Sequence, residues 1–173
     1  MKKYAIIVAG GKGIRMGNDL PKQFILLNNK PVLYYTLKAF LDSYIDLQII
    51  LVLPLDYTDM GQEIIDAYFD KSRIRIAAGG DSRFQSVKNG LALVEVEAIV
   101  FVHDGVRCLV SKELIHRCYD QAVETGTAIP SITSSDSIRI ITEEGNEAFD
   151  RTNVKLIQTP QTFHSKIILP AFQ

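Results

Sequence analysis

Cysteine is scarce in this chain, which limits the scaffolds and metal sites that it can form. Only two cysteines occur among 173 residues, Cys108 and Cys118, and they lack the C-x-x-C spacing of zinc and redox motifs. Two thiols in this pattern exclude a disulfide-stapled scaffold and do not indicate a zinc site. We therefore expect both cysteines to be free and mildly buried.

Charge of one sign and long apolar runs are also lacking. Nineteen Lys and Arg residues oppose twenty Asp and Glu residues, for a net charge of −1, so no global field draws the chain to nucleic acid or to an anionic membrane. No apolar stretch approaches the roughly 18 residues of a membrane span, and the Met-Lys-Lys start carries no cleavage-site pattern. These absences predict a cytoplasmic protein without a nucleic-acid or membrane partner, in which any anion site is local.

Two common phosphate-binding motifs are absent as well. A G-x-G-x-x-G fingerprint beginning at Gly11 would need glycine where Met16 stands, and no Gly-Lys-Ser/Thr run provides a Walker A loop. The glycine-rich stretch that does occur, residues 8–16 (VAGGKGIRM), follows a short apolar run. Because glycine lets backbone N–H groups approach an anion closely, this loop predicts a phosphate site, with Arg15 and Lys22 supplying positive charge. The alternative is a tight strand-to-helix turn with surface cations.

Apolar periodicity predicts alternating strands and helices. Strands are expected at residues 4–8, 47–53, 73–77, 98–102 and 127–132. Helices are expected from residue 31, over 57–69 and 82–93, from the N-cap Ser111 to Gly126, and in the last residues, 167–173. The alternation predicts an α/β fold with a Rossmann-like, mostly parallel sheet flanked by helices, formed by one domain over residues 1–173.

The pattern changes towards the end of the chain. Residues 136–142 and 147–151 are extended and more polar, with a turn at 143–146 between them, which predicts a protruding β-hairpin arm over residues 134–153. Two strands alone are marginally stable in water, so the arm needs a surface to pack on. The same arm of a second subunit is the simplest such surface, and the alternative is the arm's own domain. We therefore expect a homodimer formed through the arm.

A second glycine turn, Gly79-Gly80-Asp81, follows the third predicted strand. Parallel strands end at the same edge of a sheet, so this turn faces the same crevice as the first loop. Backbone groups freed by the glycines, together with Asp81 and Ser86, are suited to hydrogen-bonding a base or its ribose. A compatible alternative is that Asp81 caps the following helix.

The strand expected at residues 98–102 runs into His103-Asp104, and Arg107 follows three residues later. Mg²⁺ is held by one or two carboxylates plus phosphate oxygens, so Asp104 is a candidate ligand for the metal of a nucleoside triphosphate complex. The alternative is an ion pair between Asp104 and Arg107 that closes a turn. We expect His103 to be a packed or supporting residue, because transfer to an already ionised phosphate needs no general base.

Taken together, these motifs resemble those of one nucleotidyltransferase family. The matching segments are residues 9–16, 21–23, 79–87, 102–107, 150–151 and 158–161. In combination they resemble the 2-C-methyl-D-erythritol 4-phosphate cytidylyltransferases of the non-mevalonate isoprenoid pathway, which have a GT-A-like fold. The resemblance implies a homodimeric enzyme that uses Mg²⁺ to convert CTP and 2-C-methyl-D-erythritol 4-phosphate to 4-diphosphocytidyl-2-C-methyl-D-erythritol and pyrophosphate. A ribitol-5-phosphate cytidylyltransferase and a non-catalytic nucleotide-binding module are the alternative functions.

The resemblance also implies a role for each matching residue. Arg15 and Lys22 would grip the triphosphate and stabilise the transition state. Arg151, on the arm, would be the third catalytic residue and would hold the polyol phosphate across the dimer interface, while Asp104 would bind the metal. The residues implied to contact or shape the site of the nucleotide are Ala9, Gly10, Gly11, Gly13, Gly80, Asp81 and Ser86. Those implied to line the acceptor pocket are Arg107, Ser137, Arg151 and Thr159.

Members of the family continue past the position that matches Gln173, with a second metal-binding Asp and a substrate-positioning Lys. The resemblance therefore implies a C-terminally short form that folds and binds nucleotide but is impaired in catalysis.

Overall fold

The computed structural model of the chain describes residues 1–11, 20–95 and 97–173. Gly13 and Arg15 of the predicted phosphate loop lie outside these ranges, so their roles stay predictions. Within the described ranges, no helix is long and apolar enough to cross a membrane.

Strands and helices alternate along most of the described chain. The strands are β1 (Lys2–Val8), β2 (Leu26–Leu27), β3 (Lys30–Pro31), β4 (Leu47–Leu53), β5 (Ile74–Ala78), β6 (Ala98–Asp104), β7 (Thr127–Ala128), β8 (Ser131–Thr133), β9 (Ile138–Thr142), β10 (Gly145–Phe149), β11 (Lys155–Ile157) and β12 (Gln161–His164). The helices are α1 (Val32–Leu41), α2 (Thr58–Tyr68), α3 (Arg83–Leu91), α4 (Lys112–Thr125) and α5 (Ser165–Ala171). Short 3₁₀ turns lie at Lys22–Phe24, Leu55–Tyr57, Lys71–Arg73 and Arg151–Asn153.

The central sheet has the order β5-β4-β1-β6-β12-β7. β5, β4, β1 and β6 are parallel, and β12 lies antiparallel between β6 and β7. Ile6 of β1 is opposite Ile50 of β4 and Val102 of β6, so three strongly apolar strands form the centre of the sheet. The α/β fold with a mostly parallel sheet flanked by helices is therefore confirmed.

The hydrophobic core covers both faces of this sheet. Ala5 and Ile7 of β1 belong to a buried cluster with α1, α2 and α4 on one face. Ile6, between them, belongs to a second cluster with α3 and α5 on the other face. Burial on both sides explains why the central strands have continuous apolar runs, such as residues 4–8, 49–53 and 98–102, instead of alternating apolar and polar residues.

Helix α3 lies close to the sheet at Gly90. A Cβ atom on Gly90 would be 2.8 Å from Ile6 Cγ2 and 3.1 Å from Val52 Cγ2, closer than the optimal separation of about 3.5–4.0 Å between carbon atoms. The missing side chain therefore allows α3 to approach the sheet, which also sets the position of Ser86 on the same helix.

One local expectation, for a strand, and one alternative, for a helix cap, are wrong. The strand expected at residues 127–132 is divided into β7 and β8, which belong to different sheets, because Pro130 between them has no N–H to donate to a continuous ladder. The N-cap of α3 is Ser82, whose Oγ accepts the N–H of Gln85 at 3.0 Å, so Asp81 does not have that role.

The predicted hairpin is present as β9 and β10, with a turn at Glu143 and Glu144 that is tighter than expected. β8 and β11 form a second antiparallel ribbon that flanks it in the sequence. Large apolar side chains are exposed on these two ribbons: Ile132, Ile140, Ile141, Phe149, Leu156 and Ile157. Such exposure is typical of a surface that binds another molecule.

Candidate nucleotide-binding site

Three turns meet at the carboxyl edge of the sheet, directly after β1, β5 and β6. Backbone hydrogen bonds extend the strand pairing one residue beyond each end: Ala9 N–H donates to Val52 O (2.9 Å), Gly79 N–H to Leu53 O (2.7 Å) and Gly105 N–H to Val8 O (2.8 Å). The first loop, the glycine pair and the turn after Asp104 are thus held along one edge. Open α/β sheets bind their ligands in the crevice at this edge.

Gln23 attaches the segment that carries Lys22 to the first loop. The Gln23 side chain is buried, and its Nε2 donates to Ala9 O at 2.7 Å and to Gly11 O at 3.4 Å. Lys22 begins the same 3₁₀ turn, so these bonds fix its backbone relative to the start of the loop. Sequence reasoning misses this role, because a glutamine next to a lysine gives no signal of burial.

Ser86 joins the two glycine turns into one cradle. The Oγ of this buried residue accepts the Gly80 N–H at 3.1 Å and lies 3.6 Å from the position of a Cβ on Gly10. Three predicted nucleotide contacts, Gly10, Gly80 and Ser86, are therefore neighbours, and Asp81 is exposed beside them. Backbone groups around one hydroxyl suit hydrogen bonding to a base or ribose.

Asp104 lies between two arginines. Its Oδ1 accepts from Nε and Nη2 of Arg83 at 3.3 Å each, and its Oδ2 accepts from Nε of Arg107 at 2.9 Å. Arg107 also donates through Nη1 to Oε1 of Gln158. The ion pair that was the alternative role of Asp104 is therefore present. The second partner, Arg83, comes from α3, and the local sequence around Asp104 does not reveal it.

The donor set around Asp104 fits a magnesium ion that is held mainly by its substrate. Across residues 1–11, 20–95 and 97–173, no three His, Cys, Asp or Glu side chains form a potential metal cluster. Mg²⁺ often takes one or two carboxylates from the protein and completes its shell with phosphate oxygens and water. Because the arginine pairs are partly exposed and weak, a cation can compete for one Asp104 oxygen.

His103 is fully buried at the end of β6. Burial lowers its pKa to about 4, so the imidazole is neutral near pH 7. Its Nε2 lies 3.1 Å from Arg107 O, and its Nδ1 lies 2.8 Å from Thr159 Oγ1. A carbonyl can only accept, so Nε2 carries the proton and Nδ1 accepts from the Thr159 hydroxyl. This geometry agrees with a supporting role for His103.

The predicted acceptor residues are divided between the sheet edge and the arm. Arg107 and the buried Thr159 meet at the imidazole, whereas Ser137 and Arg151 are exposed on the arm. The Arg151 guanidinium donates from Nη1 to Ser135 O at 2.7 Å. Among the hydrogen bonds and ion pairs of the described residues, none connects Arg151 to the three turns at the sheet edge.

Comparison with known proteins finds one family. The family model described as 2-C-methyl-D-erythritol 4-phosphate cytidylyltransferase matches residues 4–173. A relative of that name from Bacteroides thetaiotaomicron is 46% identical over 172 residues, which cover 99% of this chain and 78% of the relative. A 4-diphosphocytidyl-2C-methyl-D-erythritol synthase from Anaerococcus prevotii has a similar crystal structure, with a TM-score of 0.84, 28% identity and coverage of 99% of this chain and 74% of that one. The crystal structure of the 2-C-methyl-D-erythritol 4-phosphate cytidylyltransferase of Francisella tularensis is also similar, with a TM-score of 0.80 and 29% identity, and the match covers 99% of this chain and 76% of that one.

The fold, the glycine turns at its carboxyl edge and these similarities define a nucleotidyltransferase. Because the family model covers residues 4–173, the chain belongs to the 2-C-methyl-D-erythritol 4-phosphate cytidylyltransferase family. The family resemblance and the enzyme class predicted from the motifs are confirmed.

Proposed function

We propose that the protein transfers the cytidylyl group of CTP to 2-C-methyl-D-erythritol 4-phosphate, in the non-mevalonate route of isoprenoid biosynthesis. The products are 4-diphosphocytidyl-2-C-methyl-D-erythritol and pyrophosphate. The observation that carries the proposal is the family match over residues 4–173, together with the meeting of both glycine turns at Ser86. Relatives with 46% identity over almost the whole chain bear the name of this activity.

The chemistry requires positioning and charge neutralisation more than proton transfer. A phosphate oxygen of the acceptor attacks the α-phosphorus of CTP, and the bond from this phosphorus to the oxygen bridging to the β-phosphate breaks. Pyrophosphate leaves with the electron pair of that bond. Because the attacking phosphate is already ionised near pH 7, no base has to remove a proton from it. Preorganised cations at the triphosphate therefore account for most of the expected catalysis.

Lys22 and Arg15 are the cations that we assign to the triphosphate. The Gln23 bond to Ala9 O supports this role for Lys22, because it holds the lysine backbone beside the loop before substrate binds. In the proposal, the loop and the cradle contact the nucleotide through Ala9, Gly10, Gly11, Gly13, Gly80, Asp81 and Ser86.

Asp104 is assigned to Mg²⁺. When bound, the ion would neutralise part of the triphosphate charge. Asp104 would hold the ion through a carboxylate oxygen, and Arg83 and Arg107, which pair with this carboxylate, would be placed to donate to phosphate oxygens. We assign contacts with the acceptor to four residues, which are Arg107 and Thr159 at the sheet edge and Ser137 and Arg151 on an arm.

The arm is assigned to a homodimer interface. On the two ribbons, Ile132, Ile141 and Ile157 are 55%, 79% and 52% exposed, and a second copy would remove them from water. A dimer also places Arg151 on the neighbouring subunit, where it would hold the acceptor phosphate with a charge-assisted contact.

We propose that the protein is cytoplasmic. The free thiols Cys108 and Cys118 fit the reducing environment of the cytoplasm.

Pyrophosphate release by the full-length product of the gene tests the reaction. With CTP and 2-C-methyl-D-erythritol 4-phosphate we expect release that depends on Mg²⁺, and with ATP, GTP or UTP much less. Ribitol 5-phosphate is the comparison acceptor, and a preference for it would overturn our choice of acceptor. Binding of CTP without release of its pyrophosphate in the presence of either polyol phosphate would instead indicate a nucleotide-binding module.

Analytical ultracentrifugation tests the dimer. Ile141→Glu places a charge on the arm and is expected to convert dimer to monomer. Ile45→Glu is the matched control, because Ile45 is 89% exposed but lies in the loop after α1, far from the arm in the sequence. A dimer that survives Ile141→Glu, or dissociates equally with both variants, would contradict an interface through the arm.

A further inference from the structure

We propose that His103 is a positioning residue for the acceptor side of the site, where its two imidazole nitrogens hold Arg107 and Thr159 at a fixed separation. The proposal rests on the proposed function, since the predicted effect falls on the acceptor of that reaction. His103 itself contacts neither substrate.

The imidazole connects two segments that are distant in the sequence. Its Nε2–H donates to the carbonyl of Arg107, in the turn directly after β6, and its Nδ1 accepts from Thr159, which lies 56 residues away, two positions before β12. One ring thus links the end of β6 to the segment that enters β12. The ring holds the backbone that carries the Arg107 guanidinium, and it holds the Thr159 side chain directly.

The ring has little freedom to adopt another orientation. It is fully buried and lies 5.1 Å from the Phe40 ring, centroid to centroid. The turn that carries Arg107 is also held by α1, because the buried Thr36 hydroxyl donates to Gly105 O at 2.7 Å. A ring flip would place the carbon Cδ2 beside the Thr159 oxygen and the carbon Cε1 beside the Arg107 carbonyl, so both hydrogen bonds would be lost in a buried environment. This orientation of the ring, with Nε2 at the Arg107 carbonyl and Nδ1 at the Thr159 hydroxyl, is therefore strongly favoured.

A second buried link joins the same two segments at the opposite edge of the sheet. Ser165, which directly follows β12, is fully buried, and its Oγ accepts the N–H of Ala98, the first residue of β6, at 3.0 Å. Like His103, Ser165 stabilises the β6 and β12 pair through a buried polar side chain. Unlike His103, it lies away from the carboxyl edge, so Ser165→Ala is a matched control for loss of stability alone.

Steady-state pyrophosphate release by the whole protein, with melting temperatures, tests the proposal. His103→Phe keeps an aromatic ring against Phe40 but forms neither hydrogen bond. We expect it to raise KM for 2-C-methyl-D-erythritol 4-phosphate about tenfold, which corresponds to one lost hydrogen bond of roughly 1.4 kcal/mol, and to leave KM for CTP within about twofold. His103→Asn, whose amide oxygen can replace Nδ1 as the acceptor from Thr159, should restore part of the loss. Ser165→Ala should lower the melting temperature and leave both KM values unchanged.

Two results would overturn the positioning role. The first is that the His103→Phe enzyme keeps the wild-type KM for the acceptor. The second is that His103→Phe and Ser165→Ala lower the melting temperature equally and also change the KM for the acceptor equally. If His103→Phe does not fold, the test uses His103→Asn loaded with a non-hydrolysable CTP analogue. The affinity of this variant for the acceptor is then measured by calorimetric titration, and a wild-type affinity would contradict the proposal. A wild-type protein that releases no pyrophosphate from CTP and the acceptor would refute the proposed function instead, before any variant is compared.

Discussion

Replacing Gln23 by leucine removes the contact that holds the Lys22 segment to the glycine loop. The Gln23 side chain is 2% exposed, and its Nε2 is the donor to Ala9 O at 2.7 Å and to Gly11 O at 3.4 Å. Leucine is one bond shorter than glutamine and has no donor, so the buried Ala9 carbonyl loses its bond from this side chain. An unsatisfied buried acceptor costs about 1–3 kcal/mol, which corresponds to a fall in melting temperature of roughly 2–12 °C for a chain of this size.

The same substitution should affect turnover, because Lys22 loses its fixed position at the triphosphate. A displacement of about 1 Å in a catalytic group can cost about a hundredfold in rate. We therefore expect Gln23→Leu to lower kcat for pyrophosphate release by about ten- to a hundredfold at a temperature well below its melting point, with a smaller change in KM for CTP. Stopped-flow or coupled pyrophosphate assays at saturating substrates, together with calorimetric melting, give both quantities.

Gln62→Leu is the matched control for the chemical change. Gln62 lies on α2 and donates to Asp66 Oδ1 at 2.7 Å, but this bond is exposed to water. The control should change stability by about 0.5 kcal/mol or less and leave kcat unchanged. A Gln23→Leu enzyme that melts earlier yet keeps wild-type kcat would show that Gln23 supports the fold alone, and the assignment of Lys22 to a preorganised site would lose its support.

Three further substitutions test separate parts of the site. Lys22→Ala should reduce kcat about 10²–10³-fold with little loss of CTP affinity. Lys71→Ala, on another 3₁₀ turn, is the control and should leave kcat unchanged. Similar kcat values for the two variants would show that Lys22 is only a surface cation without a catalytic role. Asp104→Asn should move the Mg²⁺ dependence of pyrophosphate release to higher concentration, and an unchanged titration would leave Asp104 only its ion pairs with arginine. Gly90→Ala should lower the free energy of unfolding by about 1–2 kcal/mol, because the new Cβ would lie 2.8 Å from Ile6 Cγ2. The higher helix propensity of alanine offsets part of this loss. An unchanged melting temperature would contradict the close approach of α3 to the sheet.

Local periodicity was sufficient to predict the elements that are apolar along their length or along one face. β1, β4 and β6 are buried on both sides, and α1 and α4 present one apolar stripe to the core, so their sequences carry the signal directly. The carboxyl-edge rule then brought the two glycine turns and Asp104 together, as the structure has them. These predictions depend on features that are close in the sequence.

Features that depend on distant segments could not be predicted in this way. The second arginine at Asp104 comes from α3, and the donor to the Ala9 carbonyl comes from Gln23, beyond the loop. β12 is only four residues long and mixes polar with aromatic side chains, so neither a period of two nor an apolar run marks it as a strand. Its place between β6 and β7 is set by tertiary packing, which overrides weak local preference.

The direction of β12 explains why residues 158–160 belong to the site at all. In the parallel part of the sheet, the residues that follow each strand reach the carboxyl edge. β12 runs the other way, with Gln161 opposite Val102 and His164 opposite Ile99, so the residues that precede it reach that edge. Thr159 and Gln158 are thereby brought to His103 and Arg107, although they lie more than fifty residues further along the chain. A search for site residues in mixed sheets should therefore include the segment before each antiparallel strand as well as the segment after each parallel one.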